Sequence, residues 1–324
     1  MLIKALRAVL LLLMTLTVLT AWAGEPPRAD LQKLTVMLDW FVNPDHAALV
    51  VAQEKGFFAA QGLNVELQTP ADPNDPPKLA AAGKVDLAVS YQPQLHIHVN
   101  AGLPIKRIGT LVATPLNSLV VLKNGPVKTL ADLKGRKIGY SVGGFEEALL
   151  KTLLAKGGLK LEDVTLVNVN FSLSPALLSG QVDAVIGAFR NFELNQMDLA
   201  KKPGRAFYPE EEGVPPYDEL VLVANRDRLN DPRFRRFLTA LEQATLSILN
   251  HPDEAWKAFI AQHKDLNDEL NRRAWRDTLP RLARRPAALD EASYRRFAQF
   301  LAQQGVITVA LPVSNYAVQL SSPE

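Results

Sequence analysis

The 324-residue chain contains no cysteine. This absence excludes a disulfide framework, a thiolate zinc site, an iron–sulfur cluster and a cysteine nucleophile. The chain is nevertheless long enough for two domains, each with a core large enough to fold without cross-links.

The chain also lacks an excess of either charge, with 36 basic and 34 acidic residues. Nucleic-acid-binding proteins need a surplus of Lys and Arg, so we expect no nucleic-acid partner. The small surplus lies at the N-terminus, where Lys4 and Arg7 precede an uncharged apolar run and the tripeptide Ala-Trp-Ala ends at Ala23. This order predicts a signal peptide over residues 1–23 that is cleaved after Ala23. Loss of Lys4 and Arg7 leaves 34 basic and 34 acidic residues, so the mature chain is formally neutral.

Long apolar runs are absent beyond that segment. The run over residues 8–23 is itself shorter than the ~20 residues that a membrane span needs. No cysteine follows it, so a lipid anchor is excluded as well. We therefore expect a soluble protein that is exported to the periplasm.

The remaining sequence alternates short apolar runs with amphipathic helices over residues 34–113, and the alternation starts again at residue 119. This order predicts an α/β fold with two open sheets that carry helices on both faces. Residues 117–123 and 219–225 are interpreted as extended crossings between the halves. We expect lobe I at residues 34–118 plus 224–324 and lobe II at residues 119–223, with a hinge and an inter-lobe ligand cleft.

The usual signatures of catalysis are missing. The sequence contains no G-x-S-x-G, G-x-x-x-x-G-K-[ST], H-E-x-x-H or G-x-G-x-x-G pattern. His96 and His98 form the only close histidine pair, and on a predicted helix a spacing of two points them apart. We expect neither a metal site nor a catalytic group.

Polar and aromatic residues follow the predicted strands, where open α/β sheets bind ligands. In the first half these residues are Asp39, Trp40, Asn43, Ser90, Tyr91 and Gln92. In the second half they are Gly143, Gly144, Phe145, Glu146, Phe189, Arg190, Asn191 and Glu193. Rings that stack, together with amide and carboxylate groups, predict a site for a small planar nitrogenous ligand.

Several of these residues also fit purely structural roles. Trp40, Phe145 and Phe189 would suit a hydrophobic core. Glu193 and Arg190 would suit a solvated surface. Gly143 and Gly144 would suit a bare turn or a helix N-terminus prepared for an anion.

Longer motifs resemble a known family. They are L-D-W-F-x-N-P-D-H-A over residues 38–47, A-Q-E-K-G-F-F over 52–58, A-G-K-V-D-L over 82–87, L-A-D-L-K-G-R-K-I-G-Y over 130–140 and D-A-V-I-G over 183–187. Together they resemble the thiamine-pyrimidine-binding proteins of ABC transporters, in the NMT1/THI5-like family, over residues 34–249. G-K-V-D and L-K-G-R-K-I-G are shared with sulfonate, taurine and nitrate binders. The D-W-x-x-N-x-x-H motif and residues 187–195 are less widely shared, and they resemble the pyrimidine-binding branch of the family.

The resemblance implies a type II periplasmic binding protein, a monomer without a cofactor, that delivers a 4-aminopyrimidine to an ABC transporter permease. Its ligand would be hydroxymethyl- or formylaminomethyl-aminopyrimidine. Trp40, Asn43 and the motif's His46 would belong to the first lobe's share of the site. Glu193 would face the amino edge of the ring. Tyr91, Phe145 and Phe189 would be candidates for the stacking walls.

Two alternatives remain open at the level of sequence. The related fungal pyrimidine synthases use a lysine that carries pyridoxal phosphate, a histidine consumed as substrate and a cysteine-rich iron motif. The match puts Ser90, Gln94 and residues 214–218 at these places, so an enzyme is disfavoured. A binder of a sulfonate, nitrate or another small anion would instead use Gly143, Gly144 and Arg190.

Overall fold

The computed structural model describes residues 31–320, so the expected signal peptide, residues 1–23, lies outside the described residues. The strands are β1 (Gln32–Met37), β2 (Leu63–Gln68), β3 (Leu87–Tyr91), β4 (Ile105–Val112), β5 (Asn117–Leu122), β6 (Lys137–Tyr140), β7 (Thr165–Asn168), β8 (Ala184–Phe189), β9 (Gly204–Phe207) and β10 (Leu220–Asn225). They form two five-stranded sheets with the orders β2-β1-β3-β10-β4 and β7-β6-β8-β5-β9. This confirms the predicted α/β fold with two sheets.

Each sheet is mixed in the same way. β1, β2 and β3 run parallel, whereas β10 is antiparallel to both of its neighbours. In the second sheet, β6, β7 and β8 run parallel and β5 is antiparallel to β8 and β9. The carboxyl ends of the parallel strands in each sheet therefore lie at one edge, where ligands of such sheets bind.

Helices cover both faces of each sheet. They are α1 (Ala47–Glu54), α2 (Phe57–Ala60), α3 (Pro76–Ala81), α4 (Gln92–Asn100), α5 (Phe145–Lys156), α6 (Leu173–Ser179), α7 (Glu193–Leu199), α8 (Pro232–Asn250), α9 (Pro252–Phe259), α10 (Glu269–Thr278) and α11 (Glu291–Gln303). The helices after β10 pack on the first sheet and its helices. Within residues 31–320, no helix is both long and apolar enough to cross a membrane.

Two local predictions differ from the structure. The apolar pattern of residues 45–61 predicts a single helix, but a 3-10 turn at Pro44–His46 precedes α1, and Gly56, with φ +74°, separates α1 from α2. The short edge strand β9 was not predicted, because its four half-buried residues carry no alternation that sequence alone can reveal.

The chain passes twice between the sheets, between β4 and β5 and between β9 and β10. β5 and β10 were interpreted as the crossings themselves, whereas each is an internal strand of one sheet. The change of sheet thus falls a few residues before each predicted lobe boundary, because pairing partners are not encoded in a local apolar pattern. The buried Glu219 joins the two passages, since its Oε2 accepts the N–H groups of Leu116 (2.6 Å) and Asn117 (2.9 Å).

Candidate functional site

A cleft with an empty volume of ≈ 470 Å³, including the part continuous with solvent, lies between the two sheets. Both lobes line it, at the carboxyl ends of β1, β3 and β8 and at the beginnings of α5 and α7. The lining residues are Asp39, Trp40, Asn43, Asp45, Tyr91, Glu146, Leu173, Gly187, Phe189, Phe192 and Glu193.

The D-W-x-x-N-x-x-H motif builds the first lobe's wall of the cleft. Asn43 caps the 3-10 turn, because its Oδ1 accepts the N–H of Asp45 at 2.8 Å. The turn brings His46 back to Asp39, with Nε2 and Oδ1 2.9 Å apart. His46 Nδ1 accepts the backbone N–H of Asn43 (3.3 Å), which places the ring proton on Nε2 as a donor to Asp39.

Asp39 also fixes the aromatic wall. Its Oδ2 accepts the hydroxyl of Tyr91 at 2.9 Å. The Tyr91 ring in turn stacks on Phe145 of the second lobe, with centroids 4.8 Å apart and an interplanar angle of 21°. Burial and the neighbouring Asp39 carboxylate raise the pKa of Tyr91, so its hydroxyl stays protonated as a donor.

Glu146 and Gly187 meet on the second lobe's wall. Glu146 is buried, and its Oε2 accepts the N–H of Ser141 at 2.8 Å. Gly187 has φ +96°, and a Cβ at this position would overlap the Glu146 carboxyl group. The glycine therefore makes room for a carboxyl group that lies directly against the strand.

Glu193 supplies a second carboxyl group from this lobe. It begins α7, and its Oε2 accepts the N–H of Phe189 at 2.7 Å, which ties the helix to the end of β8. The Phe189 ring lines the same wall and meets Tyr91 edge-on at 6.4 Å.

The cleft is acidic. Four carboxyl groups line it, from Asp39, Asp45, Glu146 and Glu193, and no Lys or Arg is among its described lining residues. Burial raises the pKa of Asp45 to about 6 and the pKa of both Glu146 and Glu193 to about 8. At neutral pH the two glutamic acids thus hold protons and can donate as well as accept hydrogen bonds.

Besides Gln92, Gly144 and Arg190, five of the predicted site residues do not line the cleft. His46 and Phe145 lie behind Asp39 and Tyr91. The others bond elsewhere: Ser90 Oγ donates to Gln94 at 2.8 Å, Gly143 N–H donates to Asn74 at 2.9 Å, and Asn191 Nδ2 donates to Asp45 Oδ1 at 2.6 Å. These residues support or connect the walls of the cleft.

Arg190 also lies outside the lining. Its guanidinium forms two hydrogen bonds with Glu210, at 2.5 and 3.0 Å, and lies over the ring of Tyr208 at 4.1 Å. The Glu210 carboxylate raises the pKa of Arg190 against the opposing effect of burial. Its charge is therefore already compensated.

Sequence reasoning missed four lining residues: Asp45, Leu173, Gly187 and Phe192. Asp45, Gly187 and Phe192 do lie inside the stretches that carry the resemblance, so those stretches gave a usable signal. Leu173 has none, because an apolar residue at a helix start is indistinguishable from a core residue until the lobes are placed together.

Solved structures with the same architecture show to which class of fold this chain belongs. The alkanesulfonate-binding protein SsuA from Xanthomonas axonopodis pv. citri, bound to MOPS, superposes with a TM-score of 0.70 at 18% identity, covering 92% of this chain and 100% of that one. The periplasmic aliphatic sulphonate binding protein SsuA from Escherichia coli gives 0.66 at 16% identity, over 90% and 94%. The fold is that of the periplasmic binding proteins.

The sequence comparisons identify a family within this fold. The NMT1/THI5-like family model matches residues 43–255, and the chain belongs to this family. A Haemophilus influenzae protein named for thiamine biosynthesis is 59% identical over 290 residues, or 89% of this chain and 92% of that protein. The formylaminopyrimidine-binding protein of Halalkalibacterium halodurans is 35% identical over 74% and 73% of the two chains. A 4-amino-5-hydroxymethyl-2-methylpyrimidine phosphate synthase of Saccharomyces cerevisiae is 29% identical over 74% of each.

Proposed function

We propose that this protein is the periplasmic solute-binding component of an ABC importer and that it binds a thiamine pyrimidine precursor, hydroxymethyl- or formylaminomethyl-aminopyrimidine. The observation that carries the proposal is the composition of the cleft, which combines aromatic rings with carboxyl groups and has no Lys or Arg in its lining within residues 31–320. The formylaminopyrimidine-binding relative supports the same ligand class.

Recognition of the pyrimidine would combine aromatic stacking with hydrogen bonds to the Glu193 carboxyl group. Trp40, Tyr91 and Phe189 offer ring faces and edges to a flat heterocycle. Glu193 would meet the amino-pyrimidine edge, where the exocyclic amine donates to a carboxyl oxygen and one proton is shared between the acid and the ring nitrogen. In a buried cleft such a charge-assisted pair is stronger than it would be in water.

An anionic ligand fits this cleft poorly. The residues that would hold an anion are engaged outside it, since Arg190 pairs with Glu210 and the Gly143 N–H donates to Asn74. A sulfonate would also face four carboxyl groups. The two sulfonate-binding proteins described above share the fold at under 20% identity, so their ligands indicate nothing about the ligand of this chain.

The position where the synthases would carry pyridoxal phosphate is also unsuited to that cofactor. Ser90 and Gln94 stand where the resemblance puts the lysine and the histidine, and they hydrogen-bond to each other in a buried position. Serine cannot form the imine that holds pyridoxal phosphate. We therefore propose a carrier rather than an enzyme.

The two-lobed fold and the N-terminal sequence support the proposed transport context. A signal peptide over residues 1–23 would export the chain, and closure of the lobes over the pyrimidine would create the form that docks on the membrane permease.

Calorimetry with the chain lacking residues 1–23 tests the ligand. We expect binding of hydroxymethyl- or formylaminomethyl-aminopyrimidine and no binding of taurine or an alkanesulfonate. Glu193→Gln should weaken pyrimidine binding by about 10- to 100-fold, equivalent to ~1.5–3 kcal/mol. The amide has one oxygen, which the Phe189 N–H occupies, so its NH₂ group would face the amine of the ligand.

The matched control is Asp198→Asn, which removes a carboxylate from the exposed side of the same helix. This variant should bind like the wild type. The ligand assignment is wrong if neither pyrimidine binds at concentrations up to about 1 mM.

Affinity should depend on pH above the pKa of Glu193. Below pH 8 the buried acid keeps its proton and donates to the ring nitrogen. As the pH rises past about 8, carboxylate and ring nitrogen face each other without a proton, so the dissociation constant should rise by up to about tenfold per pH unit. Titrations from pH 6 to 9.5 measure this slope, and Glu193→Gln should flatten it. A flat wild-type profile would contradict the shared proton.

A further inference from the structure

Several contacts cross between the lobes around the cleft. Trp40 and Phe41 of the first lobe pack on Phe171 of the second, with ring centroids 4.6 and 4.8 Å apart. Asn195 Nδ2 donates to Asp277 Oδ2 at 2.8 Å near the surface. The structure is thus a closed form in which each lobe contacts the other directly.

One crossing contact is completely buried. Asn191, at the end of β8 in the second lobe, is 1% exposed, and its Nδ2 donates to Asp45 Oδ1 at 2.6 Å and to Thr278 Oγ1 at 2.7 Å. Thr278 ends α10 in the first lobe, and its hydroxyl lies 3.0 Å from the same Asp45 oxygen. The side-chain amide of Asn191 in the second lobe therefore hydrogen-bonds to two polar side chains of the first lobe, Asp45 and Thr278.

Asp45 belongs to this contact and to the cleft at once. It is 2% exposed and lines the cleft, while its Oδ1 is held by Asn191 and Thr278. Without Asn191, a buried carboxyl group would lose its shortest hydrogen bond, which is costly in a desolvated site. The position of a cleft carboxyl group thus depends on the second lobe being closed.

One atom of this contact favours opening of the lobes. The Oδ1 atom of Asn191 is buried and has no hydrogen-bond partner within residues 31–320. Opening the lobes would hydrate that oxygen, so the closed form carries an opposing cost that ligand contacts must offset.

We propose that Asn191 is a positioning residue: with Asp45 and Thr278 it forms an inter-lobe latch that retains the ligand by holding the lobes closed. The role of the latch in ligand retention rests on the proposed function. The latch itself is a property of the two lobes, and it can be measured without ligand. Its effect belongs mainly to the dissociation rate, because the ligand can leave only when this contact between the lobes opens.

Stopped-flow fluorescence with hydroxymethyl-aminopyrimidine measures that rate. Trp40 reports closure through its contact with Phe171, whereas Trp256 and Trp275 are buried within the first lobe. Asn191→Ala should speed dissociation about tenfold and leave the association rate nearly unchanged. Asn191→Asp should speed it further, because two carboxyl groups would then face each other across the lobes.

Two comparisons separate a latch from a general loss of structure. Thr278→Val should also speed dissociation, whereas Thr278→Ser, which keeps the hydroxyl, should restore the wild-type rate. Asn195→Ala removes the exposed crossing bond to Asp277 and the bond from Asn195 Nδ2 to the Asn191 carbonyl oxygen (2.9 Å), but leaves the Asn191 side chain in place, and should change the rate less than about twofold. Thermal unfolding of each ligand-free variant checks that the fold is retained.

Small-angle X-ray scattering of the ligand-free protein tests the latch independently of the proposed ligand, because the radius of gyration reports how far the lobes are open. Asn191→Asp should give a larger radius of gyration than the wild type, since it shifts the lobes toward the open form. If the wild type binds neither pyrimidine, the proposed ligand is wrong and the scattering comparison alone decides on the latch. Equal scattering of the two proteins, or equal dissociation rates where ligand binds, would overturn the latch.

Discussion

Replacing Gly187 with alanine is expected to reduce pyrimidine affinity more than 100-fold, on the order of 3 kcal/mol, and to destabilise the fold. The added Cβ would overlap the Glu146 carboxyl group. That group would have to leave its place and lose the hydrogen bond from the Ser141 N–H. The backbone at φ +96° adds about 1–2 kcal/mol of strain for any residue with a Cβ. Calorimetry and denaturant unfolding measure the two effects.

Gly180→Ala is the matched control for strain without overlap. Gly180 ends α6 with φ +77°, and a Cβ there would meet no atom within 4 Å. This variant should lose about 1 kcal/mol of stability and keep the wild-type affinity. Equal ligand affinities of the Gly187 and Gly180 variants would show that the close approach of Glu146 is unimportant for binding.

Arg107→Met is expected to lower the free energy of unfolding by about 4 kcal/mol, among the largest effects of a single substitution. The Arg107 side chain is fully buried in β4. Its guanidinium donates to Thr110 Oγ1 at 2.8 Å and to the carbonyl oxygens of Pro286, Ala287 and Ala288. Methionine has a similar length but no donor, so those buried acceptors would lose their partners.

The control is Arg284→Met, two residues before the loop that Arg107 holds. Arg284 is exposed, so its replacement should change stability by less than about 0.5 kcal/mol. Denaturant unfolding of both variants gives the comparison. Arg107 is remote from the cleft lining, so the folded fraction of its variant should bind ligand normally. A stability loss below about 1 kcal/mol would contradict the role assigned to Arg107.

Much of the fold followed from local sequence. The alternation of apolar runs and helices predicted two α/β sheets, and the motif resemblance predicted the family, which the family match confirms. Residues at or shortly after strand ends, such as Asp39, Tyr91 and Glu193, lie in the cleft because the carboxyl ends of the parallel strands face it.

The residues that sequence misplaced depend on contacts between distant segments. Phe145 lies behind Tyr91 because the two lobes bring their rings together. Asn191 points across to Asp45 instead of into the cleft, since α10 supplies Thr278 as a second partner. Arg107 was not singled out by the sequence, because a charged residue in a strand is usually solvated.

The sequence by itself determined the absence of cysteine, the near balance of basic and acidic residues, the two-sheet architecture and the aromatic and acidic residues at the strand ends. These are properties of composition and of short-range periodicity. Only the tertiary structure decided which of those residues share one cleft, which carboxyl groups are buried enough to keep a proton, and which side chain joins the lobes. Those properties depend on distance and desolvation between segments up to 233 residues apart, as for Asp45 and Thr278, and no local pattern specifies them.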